Sequence, residues 1–249
     1  MKFIKKFKSL NYNDRKRSKL DKIIIHYTNL QTNKEAIEYL CSREKKVSSH
    51  FLISSNGKVY NLVPVFYRAW HAGLSKWNDE EDINSSSIGI EIDYYPTNLN
   101  RKYNSKLIKS LIKLLKFLIN KYKIDTKNIL GHSDIAPYRK IDPGKNFPWK
   151  KLAKFNVAYE PVTDLKKFYR SLDNWFFKIK IKTKKSKALL LLSIIGYDTK
   201  EASDNMNKFK MLIRSYQSRY SQKNINSRLD KITYKVIQNH VLNILLTKN

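Results

Sequence analysis

The chain of 249 residues is long enough to bury a substantial core, and its 41% hydrophobic and 29% charged residues describe an ordinary globular composition. No apolar run approaches the ~20 residues that span a bilayer, which excludes an integral helical membrane protein, and the single cysteine, Cys41, cannot close an internal disulfide. A formal net charge of +29 suggests a polyanionic partner, yet the excess is mostly lysine spread along the whole chain beside abundant Ile, Asn and Tyr, as an AT-biased coding genome produces, and no nucleic-acid-binding motif accompanies it.

Residues 1–20 read as a basic arm. The arm lacks the apolar stretch and cleavage site of a secretory signal, so a cytoplasmic location is expected, with the cell envelope as the alternative for a trimmed chain. The β-branched run Lys22–Tyr27 (KIIIHY) predicts a buried strand with His26 near its end. Ala36, Ile37 and Leu40 recur at helical spacing over 33–42, with Asn33 as the expected cap. Two strand-like runs, 50–54 and 58–63, flank Asn56-Gly57, a dipeptide suited to a tight hairpin turn. In IGIEID (88–93) Ile88, Ile90 and Ile92 point one way while Gly89, Glu91 and Asp93 point the other. Leu107, Ile108, Leu111, Leu114, Leu115 and Leu118 predict a long amphipathic helix over 105–122. A short strand at 128–130 leads to Gly131-His132 and a Pro- and Gly-containing loop as far as Trp149.

Strands alternating with helices predict an α/β domain over 21–155, a linker over 156–163 containing Pro161, and a small all-helical domain over 164–249. In the C-terminal region Leu189 to Gly196-Tyr197, then Phe209 and Tyr216, echo the rhythm of peptidoglycan-binding modules, without their usual Asp-Gly turn. Wall binding and a purely structural addition are both open for it. His240 falls on an apolar-striped helix and reads as a surface histidine.

A zinc ion with three protein ligands and one open position activates a bound water and stabilises a developing oxyanion. The chain has five histidines, and two of them, His26 and His132, fall at strand ends, with Asp142 ten residues beyond His132. Two imidazoles and a carboxylate so placed fit a catalytic zinc site.

Six ordered stretches sharpen this reading: IIIHYT (23–28), SSHFLI (48–53), AWHAG (69–73), IGIEID (88–93), GHSDIAPYRKIDPG (131–144) and FPW (147–149). Together they resemble the zinc-dependent N-acetylmuramoyl-L-alanine amidase family of AmpD and AmiD type over roughly residues 20–153. The resemblance implies a central mixed β-sheet flanked by helices, a fold shared with peptidoglycan-recognition proteins. It also implies one Zn2+ per chain on His26, His132 and Asp142, with Glu91 as general base and acid and Lys140 as oxyanion stabiliser. The substrate implied is peptidoglycan or a muropeptide, 1,6-anhydro forms included, cut between the muramic lactyl group and L-alanine. Tyr27, His50, Trp70, His71 and Arg139 are candidate substrate residues. His50 and His71 are equally readable as framework, and Tyr27, Trp70 and Tyr138 as core packing. The rival readings are a non-catalytic peptidoglycan-recognition protein, against which the intact ligand set argues, and a nucleic-acid-binding protein, supported by charge alone. No nucleic acid and no membrane span are expected, and the sequence leaves oligomeric state open.

Overall fold

A computed structural model describes residues 2–16, 19–96, 102–162 and 164–246, so Met1, Arg17 and Ser18 of the arm and Thr163 of the expected linker lie outside the described residues. The chain forms two compact units: Met1–Ser75, Glu81–His132 and Ile141–Tyr159 make the first, and Lys76–Glu80, Ser133–Lys140 and Glu160–Asn249 the second.

The first unit contains strands β1 (Tyr12–Asn13) and β2 (Lys22–Tyr27), helix α1 (Asn33–Cys41), and strands β3 (Phe51–Ile53), β4 (Val59–Asn61) and β5 (Arg68–Ala69). Helix α2 (Ile83–Ser86), strand β6 (Ser87–Ile92), helix α3 (Ser105–Tyr122) and strand β7 (Ile129–Gly131) follow. Helix α4 (His132–Ile135) begins on the last residue of this unit's middle segment, and α5 (Trp149–Lys154) lies in its final one. A five-stranded sheet has the order β4-β3-β6-β2-β7, with β2 parallel to both β6 and β7 and only β4 antiparallel to its neighbour. Parallel strands buried on both faces are expected to be apolar throughout, as β2 and β6 nearly are.

One sheet face buries Ile23, Ile25, Ile88, Ile90 and Ile92 against the apolar stripe of α3, whose bounds match the helical period in the sequence. On the other face Leu52 packs with Ala36, Ile37 and Leu40 of α1. That helix is capped by Thr32, one residue before the expected Asn33, because the Thr32 side chain accepts the Glu35 N–H. The hairpin turn after β3 carries Gly57 at φ +86°, as Asn-Gly requires.

Residues 2–16 run along the surface of this unit, with Ser9 and Asn11 buried against it. Ile4 bridges Tyr60 and exchanges hydrogen bonds with Val59 and Asn61, giving the edge strand β4 a partner for its open backbone groups. Phe3 packs on Phe51 and Phe117.

The second unit holds α6 (Tyr169–Lys178), α7 (Lys184–Ile195), α8 (Lys200–Asp204), α9 (Met206–Tyr220) and α10 (Lys231–Leu246). Among the described residues no helix is long and apolar enough to cross a membrane. His240 is 3% exposed, contrary to the surface position expected from sequence. Its ring lies edge-on to Tyr220 at 4.6 Å and its Nδ1 is 3.3 Å from the Tyr216 hydroxyl, so two tyrosines of α9 make a polar-tipped pocket that the helical period did not reveal. Leu172, Phe176, Leu191, Leu192, Leu212 and Ile213 are also buried.

Leu111 is fully buried between α3 and the sheet. Leu111→Ala is expected to lower stability by about 2–5 kcal/mol, read as a shift of the urea midpoint with unchanged slope.

Candidate metal centre

Side chains alternate along a strand, so the parity that turns Ile23 and Ile25 into the α3 core turns Ile24 and His26 to the opposite face. The register pairs His26 with Glu91 on β6, and Ile24 with Gly89, so Glu91 and Gly89 share the face of His26. On the other flank Ile25 pairs with Gly131, which places His132, the next residue, beside His26. These positions lie at the carboxyl ends of three parallel strands, where α/β sheets characteristically bind ligands.

Among the described residues, one group of His, Cys, Asp and Glu side chains can hold a metal ion: His26, His132 and Asp142, with ligand atoms all within 4.8 Å of one another. Nδ1 of His26 lies 2.9 Å from Nδ1 of His132 and 3.2 Å from Oδ2 of Asp142, and the third edge, His132 Nδ1 to Asp142 Oδ2, is 3.1 Å. Ligand atoms of a tetrahedral zinc site are separated by roughly 3.3 Å, so the triangle and the N,N,O donor set both fit zinc. Burial pushes the Asp142 carboxyl up, but His132 and His26 beside it outweigh that and hold it well below the usual carboxylate range. The group therefore presents an anionic oxygen.

Each outward-facing ring nitrogen is engaged. His132 Nε2 donates to the Ala72 carbonyl at 3.0 Å. His26 Nε2 lies 3.1 Å from His71 Nδ1, and His71 Nε2 lies 3.2 Å from Ser87 Oγ, whose own hydroxyl donates to the Ile83 carbonyl. The final acceptor fixes the direction of this chain: Ser87 accepts from His71 Nε2–H, so His71 Nδ1 accepts from His26 Nε2–H, and His26 keeps the lone pair of Nδ1 for a metal. Gly89 makes room for it, since a Cβ there would lie 2.4 Å from the His71 ring. The Asn84 side-chain oxygen accepts the backbone N–H groups of His71 and Ala72 (3.0 and 2.8 Å), fixing both the His71 ring and the carbonyl that orients His132.

His50 and His71, named above as candidate substrate residues, are 0% and 6% exposed and offer a substrate little or no surface. The Gly89 N–H donates to His50 Nδ1 at 2.9 Å, and His50 Nε2 lies 3.0 Å from the Tyr67 carbonyl and 2.9 Å from Arg15 Nη2. Burial, and secondarily the charge of Arg15, lowers the His50 value to about 3. Tyr27 is half-buried, its hydroxyl pushed up to about 12 by burial and then by Asp142. Trp70 is also half-buried, with Nε1 donating to Asn13 Oδ1 at 2.8 Å. Arg139 is exposed and Lys140 half-buried; both donate backbone N–H to Ala136 and belong to the segment Ser133–Lys140 of the second unit. Tyr138, in that segment, donates its hydroxyl to the Asp198 carbonyl.

Sequence reasoning missed Ser87, Asn84, Gly89 and Arg15. Arg15 donates to the carbonyls of Val65, Asn84 and Ser85 with distances of 2.8–3.1 Å, tying the N-terminal segment to the peptide before β6. Only the choice of arginine within a lysine-rich stretch hinted at it, since a planar fork serves several carbonyls at once.

Residues 16–145 match the profile of the Amidase_2 family, described as N-acetylmuramoyl-L-alanine amidase. The chain belongs to this family. It is 36% identical over 160 residues to N-acetylmuramoyl-L-alanine amidase AmiD of Escherichia coli K12, covering 59% of this chain and 57% of AmiD. It is 41% identical over 118 residues to 1,6-anhydro-N-acetylmuramyl-L-alanine amidase AmpD of the same organism, covering 47% of this chain and 61% of AmpD. The matches thus span less than two thirds of either curated relative. The structure of E. coli AmiD in complex with the substrate anhydro-N-acetylmuramic acid-L-Ala-D-gamma-Glu-L-Lys superposes with a TM-score of 0.76 and 27% identity, covering 90% of this chain and 89% of that one. AmpDh3 of Pseudomonas aeruginosa, in complex with anhydromuramic pentapeptide, gives 0.75 at 27% identity over 88% of this chain and 90% of its own. The mixed sheet flanked by helices and the C-terminal helices α7 to α10 are those of this fold.

The unfolded His50 takes up a proton near pH 6.5 while the folded ring refuses it until about 3, so stability falls as pH drops through that window by about 1.4 kcal/mol per unit. Between pH 7 and pH 5 the parent protein is expected to lose about 2 kcal/mol more than His50→Gln in urea titrations.

Proposed function

We propose that this protein is a zinc-dependent N-acetylmuramoyl-L-alanine amidase that hydrolyses the amide between the muramic lactyl group and L-alanine in peptidoglycan or its fragments, 1,6-anhydromuropeptides included. The observation that carries this reading is the convergence of His26, His132 and Asp142 on one point, with Glu91 in register beside His26. The anhydromuropeptide complexes of AmiD and AmpDh3 support the substrate class.

His26 Nδ1, His132 Nδ1 and Asp142 Oδ2 would hold one Zn2+ per chain. When bound, the ion supplies a Lewis acid for the scissile carbonyl and lowers the pKa of a water at the open position. Glu91 takes a proton from the attacking water and returns it to the alanine nitrogen as the C–N bond breaks, so the products leave as a lactyl carboxylate and a free amine. Lys140 donates N–H to the carbonyl oxygen as negative charge develops there. Arg139 pairs with a carboxylate of the stem peptide, and Tyr27 and Trp70 offer flat apolar faces to sugar or peptide.

Glu91→Gln keeps the shape of the side chain but cannot accept the proton. It is expected to lower kcat by about 10²–10⁴-fold while zinc content by metal analysis stays at one per chain, whereas His132→Ala loses both zinc and cleavage. Product mass spectrometry on an anhydromuropeptide, with and without chelator, is the measurement; cleavage by chelated protein would overturn the zinc reading. Arg139→Ala is expected to raise KM several-fold, on the order of 1 kcal/mol of uniform binding, at unchanged kcat.

A further inference from the structure

We propose that Arg219 is a positioning residue for the metal centre, acting through Asp134 on the peptide that joins His132 to Asp142. The inference rests on the zinc reading above. Asp134 stands two residues after His132 on α4 and is 1% exposed as a side chain; Arg219 on α9 is 2% exposed. Arg219 Nη1 donates to Asp134 Oδ2 at 2.6 Å, and the Tyr197 hydroxyl donates to Oδ1 at 2.6 Å, so both carboxylate oxygens are engaged.

The neighbouring peptide is gripped in the same way. Ser215, one turn before Arg219 on α9, donates its hydroxyl to the Ser133 carbonyl at 2.6 Å, and the Lys76 N–H donates to the Ile135 carbonyl at 2.8 Å. The segment Ser133–Lys140 thereby becomes part of the second unit, although in the chain it runs between two of the three ligands. Fixing a backbone costs conformational entropy, so a loop left free between His132 and Asp142 would charge that cost against metal binding. Buried hydrogen bonds that order the loop in the folded chain remove it beforehand, and the ion meets ligands already in place.

The alternative is that the ion pair stabilises the helical unit and nothing more, and a matched control separates the two. Thr233 is fully buried in that unit, its hydroxyl accepting from Gln217 Nε2 at 2.8 Å, and it takes part in none of the hydrogen bonds just described for Ser133–Lys140. Zinc Kd of the full chain is measured by competition with a chromophoric chelator, alongside thermal unfolding of the zinc-free protein, for Arg219→Met, Tyr197→Phe and Thr233→Val. Arg219→Met is expected to raise the zinc Kd by about 10–100-fold, the range for groups that orient metal ligands, and Tyr197→Phe by a smaller factor. Thr233→Val is expected to lower Tm and leave Kd within about twofold of the parent, since it leaves the loop's hydrogen bonds intact. Folded Arg219→Met with parental Kd, or a Thr233→Val that weakens zinc as much, would overturn the proposal. If Arg219→Met does not fold, Tyr197→Phe decides on the same criterion. A parent protein that binds zinc with this pattern of Kd values but cleaves no muropeptide would sink the amidase reading and leave this one standing; full activity with unshifted Kd values would do the reverse.

Discussion

Parallel pairing carries His26, Glu91 and His132 on three adjacent strands, and the register of β2 against β6 and β7 decides whether they meet. Side chains alternate with a period of two, so a slip of one residue would drive His26 into the core against α3 and bring Ile25 to the metal side. The isoleucines prevent it: Ile23, Ile25, Ile88, Ile90 and Ile92 are all fully buried, and exposing that set would cost several kcal/mol. The chemistry is thus indexed by hydrophobic burial on the opposite face of the same strands.

Around that index lies a layer of buried polar groups, expensive to desolvate unless each finds a partner. The hydrogen bonds from His26 through His71 and Ser87 to the Ile83 carbonyl run in one direction, ending on an acceptor that can only accept. A network of this kind sets tautomers as well as positions, because reversing any one ring would leave two donors or two acceptors facing each other. Asn84 and Arg15 extend the layer by binding backbone rather than side chains, so they shape the peptide on which His71 and Ala72 sit.

Much of this was legible in the sequence where local rules operate. The 3.6-residue period of α3, the Asn56-Gly57 turn and the alternation of IGIEID were correctly placed because each is decided by residues close in the chain. The convergence of His26, His132 and Asp142 was legible from strand-end placement and motif wording. What stayed hidden was decided by residues far apart. Arg15 looks like one cation among many until the fold brings three carbonyls to it, some of them about 70 residues away. His240 passes for a surface residue because the polar side of α10 is buried too, where Asn239 accepts from Tyr169 and Asn243 binds Val162. His50 carried a motif-level hint of function that its complete burial turns into a framework role.

The helical unit is discontinuous in the chain: its interior includes Lys76–Glu80 and Ser133–Lys140 as well as the residues after 160. A cut at 160 would therefore not release a self-contained module. It would strip Asp134 of Arg219 and Tyr197, and removing one partner of a buried ion pair costs about 3–5 kcal/mol. Removing this region therefore takes more than a single cut in the chain. Any lineage that dropped it would have to supply Asp134 with a new cation, let water reach it, or replace it.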